Sequence, residues 1–105
     1  MGHISSDFKV GTYTGDGSTS LAITGLGFKP KVVWIWPYSN AAGSKNFKII
    51  KTSSDSGNLA YEEYSGDWKD NAVNSLDEDG FSVDDAGTDI DPNTAGVVYI
   101  YIAFG

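Results

Sequence analysis

The stretch Gly96-Val97-Val98-Tyr99-Ile100-Tyr101-Ile102-Ala103-Phe104 constrains the fold more than any other, because no charge interrupts it and both of its extended faces are apolar or aromatic. Odd positions supply Val97, Tyr99, Tyr101 and Ala103, and even positions supply Val98, Ile100, Ile102 and Phe104. A strand with one wet face alternates apolar and polar residues. This run is therefore covered on both sides, or covered on one side and used as a contact surface on the other. One other segment has the same character, Lys31-Val32-Val33-Trp34-Ile35-Trp36, which stands between Pro30 and Pro37. The two runs are expected to pair near the centre of a β-structure, with shorter strands laid around them.

At 105 residues the chain is long enough for a real core, and residues 1–105 read as a single β domain. Without cysteine it has no disulfide and no thiolate metal site. No apolar run approaches the roughly 20 residues of a membrane-spanning helix, so no membrane partner is expected. The opening Met1-Gly2-His3-Ile4-Ser5 lacks a basic region followed by an apolar core, which points to synthesis in a cytoplasm. Net charge is −7 and unevenly spread: residues 8–51 hold six lysines against one acid, and residues 52–105 hold one lysine against twelve acids. Arginine is absent and the overall sign opposes polyanion binding, so nucleic acid is not an expected partner. The acidic half is a solubilising surface, or a charged rim that meets a basic partner or the lysine-bearing side of another copy.

Taken in order, residues 7–14 alternate Phe8, Val10 and Thr12 with Lys9, Gly11 and Tyr13, the pattern of a strand with one buried face. Gly15-Asp16-Gly17-Ser18 is a turn leading to a return strand at residues 20–24, which together make a hairpin. Leu26 and Phe28 are expected to tuck into the end of the core. Residues 46–51 form a strand whose flanking lysines suit an edge. Residues 59–64 read as a strand with helix as the alternative, and residues 65–70 are a loop carrying Trp68. Residues 71–76 and 81–83 are strands around the turn Asp77-Glu78-Asp79-Gly80, and residues 84–95 are a polar loop. About seven to eight short strands with Gly-rich turns predict an all-β, antiparallel sandwich or barrel, jelly-roll-like in outline.

The residues offer little chemistry. His3 is the only histidine and stands away from any cluster, so no catalytic residues are assigned and no enzymatic activity is expected. Asp84, Asp85, Asp89 and Asp91 crowd one loop, but their spacing does not fit an EF-hand; they read as turn formers, and no metal or other cofactor is assigned. Aromatics are abundant, with three Trp, six Tyr and five Phe. Trp34 and Trp36 share a face and read most simply as core. Tyr99 and Tyr101 share a face that is either core or an outer ribbon. Trp68 has no apolar sequence neighbours, so it either folds back as a lid or presents itself to a partner, where buried Trp and Tyr carry much of the binding energy. The candidate partner-binding residues are therefore Trp68, Tyr61, Tyr64, Tyr99 and Tyr101, and Trp68 with Tyr61 and Tyr64 also suits a carbohydrate platform.

Several pieces, in order, resemble a domain family of tailed-bacteriophage virion proteins. They are Val10-Gly11-Thr12-Tyr13-Thr14-Gly15-Asp16-Gly17, then Thr24-Gly25-Leu26-Gly27-Phe28-Lys29-Pro30, then Val33-Trp34-Ile35. Ser75-Leu76, Asp79-Gly80-Phe81-Ser82-Val83, Asn93, Gly96 and the ending Tyr99 to Phe104 follow. The resemblance spans nearly the whole chain, although residues 39–64 lack the Asp-x-x-Arg-Gly motif that such domains often carry after the Val-Trp-Ile strand. It implies a virion protein associated with capsid, tail or fibre and carries over no enzymatic activity.

A free-standing domain of this length, without a fibre shaft, suits a head decoration (cement) protein that binds the phage capsid protein, made in the host cytoplasm and forming a homo-oligomer within the virion. A small tail or fibre-tip protein bound to tail proteins is the alternative within that class, and a carbohydrate-binding module is the alternative outside it.

Overall fold

The computed structural model describes residues 7–38, 48–55, 60–62, 67–69, 72–85 and 92–105. These form nine strands: β1 (Phe8–Thr14), β2 (Leu21–Ile23), β3 (Val32–Pro37), β4 (Ile49–Thr52), β5 (Ala60–Glu62), β6 (Asp67–Lys69), β7 (Val73–Asp77), β8 (Gly80–Val83) and β9 (Val98–Phe104). All pair antiparallel, in a six-stranded sheet of order β1-β9-β3-β4-β5-β6 and a three-stranded sheet of order β2-β8-β7. The fold is an all-β sandwich, with one hydrophobic core between the sheets.

The two long apolar runs do pair. β9 lies between β1 and β3, with Ile35 opposite Tyr101 and Val33 opposite Ala103. Because successive side chains alternate faces, this register puts the odd residues of both strands on one side. That side is the core: Val33, Ile35 and Ala103 are fully buried, and Tyr99 and Tyr101 nearly so. Tyr13 from β1 stacks on Tyr99 with ring centroids 5.1 Å apart, and Phe81 from β8 meets Tyr101 edge-on at 5.1 Å. Aromatic rings at such offsets add to what their burial alone provides. Gly11 makes room for this cluster, since a Cβ there would stand 2.7 Å from the Tyr101 hydroxyl oxygen.

Trp34 and Trp36 are therefore not core. They share the opposite, even face of β3, where Trp34 is exposed and Trp36 half-buried. Composition could not decide this, because both faces of the strand are apolar; the pairing with β9 decides it. Tyr99 and Tyr101 are likewise core and not an outer ribbon, so neither ring is open to a partner.

The expected hairpin between the first two strands does not form. β1 belongs to the large sheet and β2 to the small one. Residues 15–18 carry the chain from sheet to sheet, and Asn93, fully buried, fixes the crossing. Its side-chain oxygen accepts from the Asp16 N–H (2.9 Å), and its amide donates to Asp16 Oδ1 (3.0 Å) and to the Ser18 carbonyl (2.8 Å). Its own carbonyl accepts from the Gly17 N–H at 2.9 Å, and Gly17 takes φ of 74°, which suits glycine. A Gly-Asp-Gly-Ser turn looks the same in sequence whether it closes a hairpin or changes sheets. At the other end of the sandwich, the Asp79 carboxylate accepts from the N–H groups of Gly25 (3.0 Å) and Gly27 (2.7 Å). That clamp holds buried Leu26, with Phe28 packed against the core beside it, as expected.

Two further expectations change. β4 is no edge, because it is flanked by β3 and β5; Lys51 points inward and is 3% exposed. Trp68 lies on strand β6 and not in a loop, whereas residues 60–62 form the strand expected there rather than its helical alternative. The expected hairpin at residues 71–83 is present as β7 and β8.

Tyr99→Asp is expected to unfold the protein, because an unpaired charge among buried aromatics costs more than about 4 kcal/mol. Ile100→Asp, on the other face of the same strand, is expected to cost about 1–2 kcal/mol and stay folded. Asn93→Ala should cost about 2–3 kcal/mol by leaving buried polar groups at the crossing unpaired. Thermal and urea unfolding followed by circular dichroism checks all three.

Candidate functional site

What the inner parity leaves over is the outer face of the large sheet, and the strand registers lay it out in rows. One row runs Val10, Ile102, Trp34, Ile50, Tyr61, Trp68 and crosses every strand of the sheet. A second runs Phe8, Phe104, Val32, Thr52, and a third Thr12, Ile100, Trp36. Cross-strand neighbours on one face touch, so these rows form a continuous apolar and aromatic surface with little polar interruption. Much of it faces solvent: Phe8 is 56% exposed, Val10 51%, Trp68 53%, Phe104 41% and Trp34 37%. Monomeric proteins seldom expose contiguous apolar surface of this kind unless something binds it.

The face has internal order. Phe8 and Phe104 lie with ring centroids 5.5 Å apart, and Tyr61 meets Trp68 edge-on at 5.6 Å. Lys48 places its ammonium 5.2 Å from the centroid of the Trp34 ring, a cation–π contact that sets a positive charge over the middle of the central row. Tyr38, 70% exposed, extends the surface beyond β3, where its N–H bonds the Val98 carbonyl at 2.7 Å.

Of the residues the sequence nominated, Tyr61 and Trp68 meet on this face. Tyr99 and Tyr101 are in the core, and Tyr64 lies outside the described residues, so a platform of Trp68, Tyr61 and Tyr64 is described only for its first two members. Sequence reasoning missed Phe8, Val10, Trp34, Trp36, Ile50, Ile102 and Phe104 as surface residues. For Trp34, Trp36, Ile102 and Phe104 the signal was present as second apolar faces on the two central runs, which could not be told from doubly covered strands. Phe8, Val10 and Ile50 lie on β1 and β4, where the apolar residues of an alternating or short strand read as its buried side.

Chemistry elsewhere is sparse. Among the described residues no three His, Cys, Asp or Glu side chains converge as a metal site requires. Asp84 is buried and gives its N–H to the Ala72 carbonyl, while Asp89, Asp91 and His3 lie outside the described residues. Asp16 is held below the usual carboxylate range mainly by its hydrogen bonds from Ser18 and Asn93, which is a structural role. A pocket of about 210 Å³ opens between the sheets beside Lys51, lined also by Lys29, Thr52, Ser53, Asp55 and Ser75. Burial pushes the Lys51 ammonium below the ordinary lysine value of 10.5, with Asp55 acting in the opposite sense.

The chain belongs to a family described as a domain of unknown function, DUF7483, whose model matches residues 3–105. No curated protein and no solved structure matches it.

Lys51→Met removes an ammonium whose charged form burial disfavours. As pH rises toward 10.5, the folded parent releases the Lys51 proton while the unfolded chain still holds its own, so this group makes the parent more stable. Melting temperatures of both proteins between neutral and alkaline pH should show that gain in the parent and its absence in Lys51→Met.

Proposed function

We propose that this DUF7483 domain is a structural protein of a phage virion that docks on the particle through the outer face of its large sheet, most specifically as a head decoration protein bound to the capsid lattice. The observation that carries the reading is the apolar row crossing all six strands from Val10 to Trp68. A broad sheet face of exposed rings suits a protein partner better than a small molecule, since small-molecule sites are concave and bury most of their ligand. Its tryptophans and tyrosines are the residue types that dominate protein interfaces when desolvated. The ordered resemblance to tailed-bacteriophage virion domains supplies the setting, and it draws on turn glycines and core residues, which give a shape and not a catalytic group.

The energetics favour many weak sites over one strong one. Fully burying a large apolar side chain contributes roughly 1.5–3 kcal/mol, and association itself costs several kcal/mol in lost freedom. One such domain gains modestly, whereas many copies on a symmetric shell, each touching subunits and neighbours, reinforce the whole. A second reading rests on Tyr61 and Trp68, whose edge-on pair presents an exposed indole in the way that sugar-binding surfaces do.

Co-sedimentation with intact virions, isolated heads and isolated tails tests the proposal. Retention on heads in fixed ratio to capsid subunits is expected. Trp34→Asp and Ile102→Asp, folded by circular dichroism, should each lower it at least about 10-fold, which corresponds to 1.4 kcal/mol. Binding confined to tails would move the role to the tail or fibre tip. Glycan binding without virion association, abolished by Trp68→Ala, would identify a carbohydrate-binding module instead.

A further inference from the structure

The large sheet ends at β1, a strand of seven residues that has a neighbour on only one side among the described residues. Sheet edges in soluble proteins are usually blunted by proline, bulges, shortness or an inward charge, because an open edge is a template for another strand. β1 has no proline, its ladder with β9 runs from Phe8 to Thr14 without a register shift, and Lys9 is its only charge.

The direction of its backbone groups follows from both ends of that ladder. Gly15 donates to the Val97 carbonyl (2.8 Å), and Gly105 donates to the Asp7 carbonyl (3.1 Å). Hydrogen-bonded and non-hydrogen-bonded pairs alternate in an antiparallel ladder, so Lys9, Gly11 and Tyr13 turn their N–H and C=O toward β9. Phe8, Val10, Thr12 and Thr14 turn theirs toward the open edge. Side-chain exposure agrees that no described strand covers that edge. Phe8 and Val10 are 56% and 51% exposed, whereas Ile100 and Ile102, flanked on both sides, are half-buried.

We propose that a second copy of this chain occupies this edge, its β1 pairing antiparallel with β1 across a two-fold axis at Gly11. The occupant follows from self-complementarity. Only even residues turn their backbone groups to the edge, so even must pair with even. With the axis at Gly11, Phe8 lies opposite Thr14 of the second copy and Val10 opposite Thr12, each pair exchanging both of its N–H···O=C bonds, and the full strand is used. Lys9 then lies opposite Tyr13. Moving the axis to Lys9 would set the two lysines against each other, which is unfavourable, and moving it to Val10 would leave residues at one end unpaired. Gly11 meets Gly11 as a non-hydrogen-bonded pair, the spacing at which opposed backbones approach most closely. The axis stands normal to the sheet, so both outer faces lie on the same side, and the central row of each copy, ending at Val10, meets the Thr12-Ile100-Trp36 row of the other.

This pairing depends on the ladder and not on the virion reading. Its contact is small, so it forms at high concentration or where a lattice gathers copies. The chain has no cysteine, which allows single nitroxide labels at positions 8, 10, 12 and 14. Double electron–electron resonance is expected to give short inter-copy distances at positions 10 and 12, close to each other in length, and longer ones at positions 8 and 14, again alike. Sedimentation velocity over roughly 10 µM to 1 mM should show a concentration-dependent dimer. Thr12→Pro removes an N–H that faces the open edge, a place where a strand tolerates proline, and should weaken the dimer at least about 10-fold with little change in melting temperature. A monomer at the highest concentration overturns the proposal. So does a distance pattern not symmetric about Gly11. If Thr12→Pro fails to fold, the four label distances decide alone.

Discussion

The antiparallel ladder that β9 makes with β1 on one side and β3 on the other fixes the parity of every other strand in the large sheet. Once Tyr101 faces inward, its neighbours across the ladder, Gly11 and Ile35, must face inward too, and Val10, Ile102 and Trp34 must face out. A shift of one residue would exchange the two faces completely. Either face of β9 is apolar enough to be core, so hydrophobicity alone does not hold the register. The fit does: Gly11 leaves space for the Tyr101 ring, and Tyr13, Tyr99, Tyr101 and Phe81 close around one another between the sheets.

Much of this was legible in the residues. The two apolar runs announced themselves as paired central strands, the Asp-Glu-Asp-Gly turn marked the β7–β8 hairpin, and Leu26 and Phe28 read correctly as an end plug. Illegible were the matters decided over long range. The Gly15–Ser18 turn changes sheets because Asn93, 77 residues beyond Asp16, reaches into it. Trp34 and Trp36 face outward because of a partner strand, not because of their own neighbours. Lys51 looked like a solvated flank, but lysine can lay its long stem along apolar surface, and its inward parity carries it between the sheets. The candidate site was half legible for the same reason: Trp68 stood out as an aromatic in polar surroundings and drew Tyr61 with it, whereas Val10, Ile50 and Ile102 were hidden among residues that looked like core.

The sandwich thus divides its apolar residues between two tasks. The odd face of the large sheet and the small sheet hold the fold together, and the even face is relieved of that duty. Substitutions on the outer face are in consequence less constrained by folding than those on the inner face, and Lys48 over Trp34 shows that polar decoration is accommodated there. A shared core carrying a surface free to vary is a sound physical basis for one domain serving different partners.

The topology also sets an order of events during synthesis. Among the described strands β1 is made first and β9 last, and the described residues give β1 no partner but β9. While the ribosome works through the intervening residues, Phe8, Val10 and Tyr13 wait with no ladder on either side of their strand. The buried hydrogen bonds of Asn93 around Asp16 cannot close early either. Long-range pairing of this kind folds slowly and leaves sticky intermediates exposed. Strands β3 to β6 can pair as they are made, but β1 joins them only once β9 has been made, so the exposure of its apolar residues lasts until the end of the large sheet's synthesis.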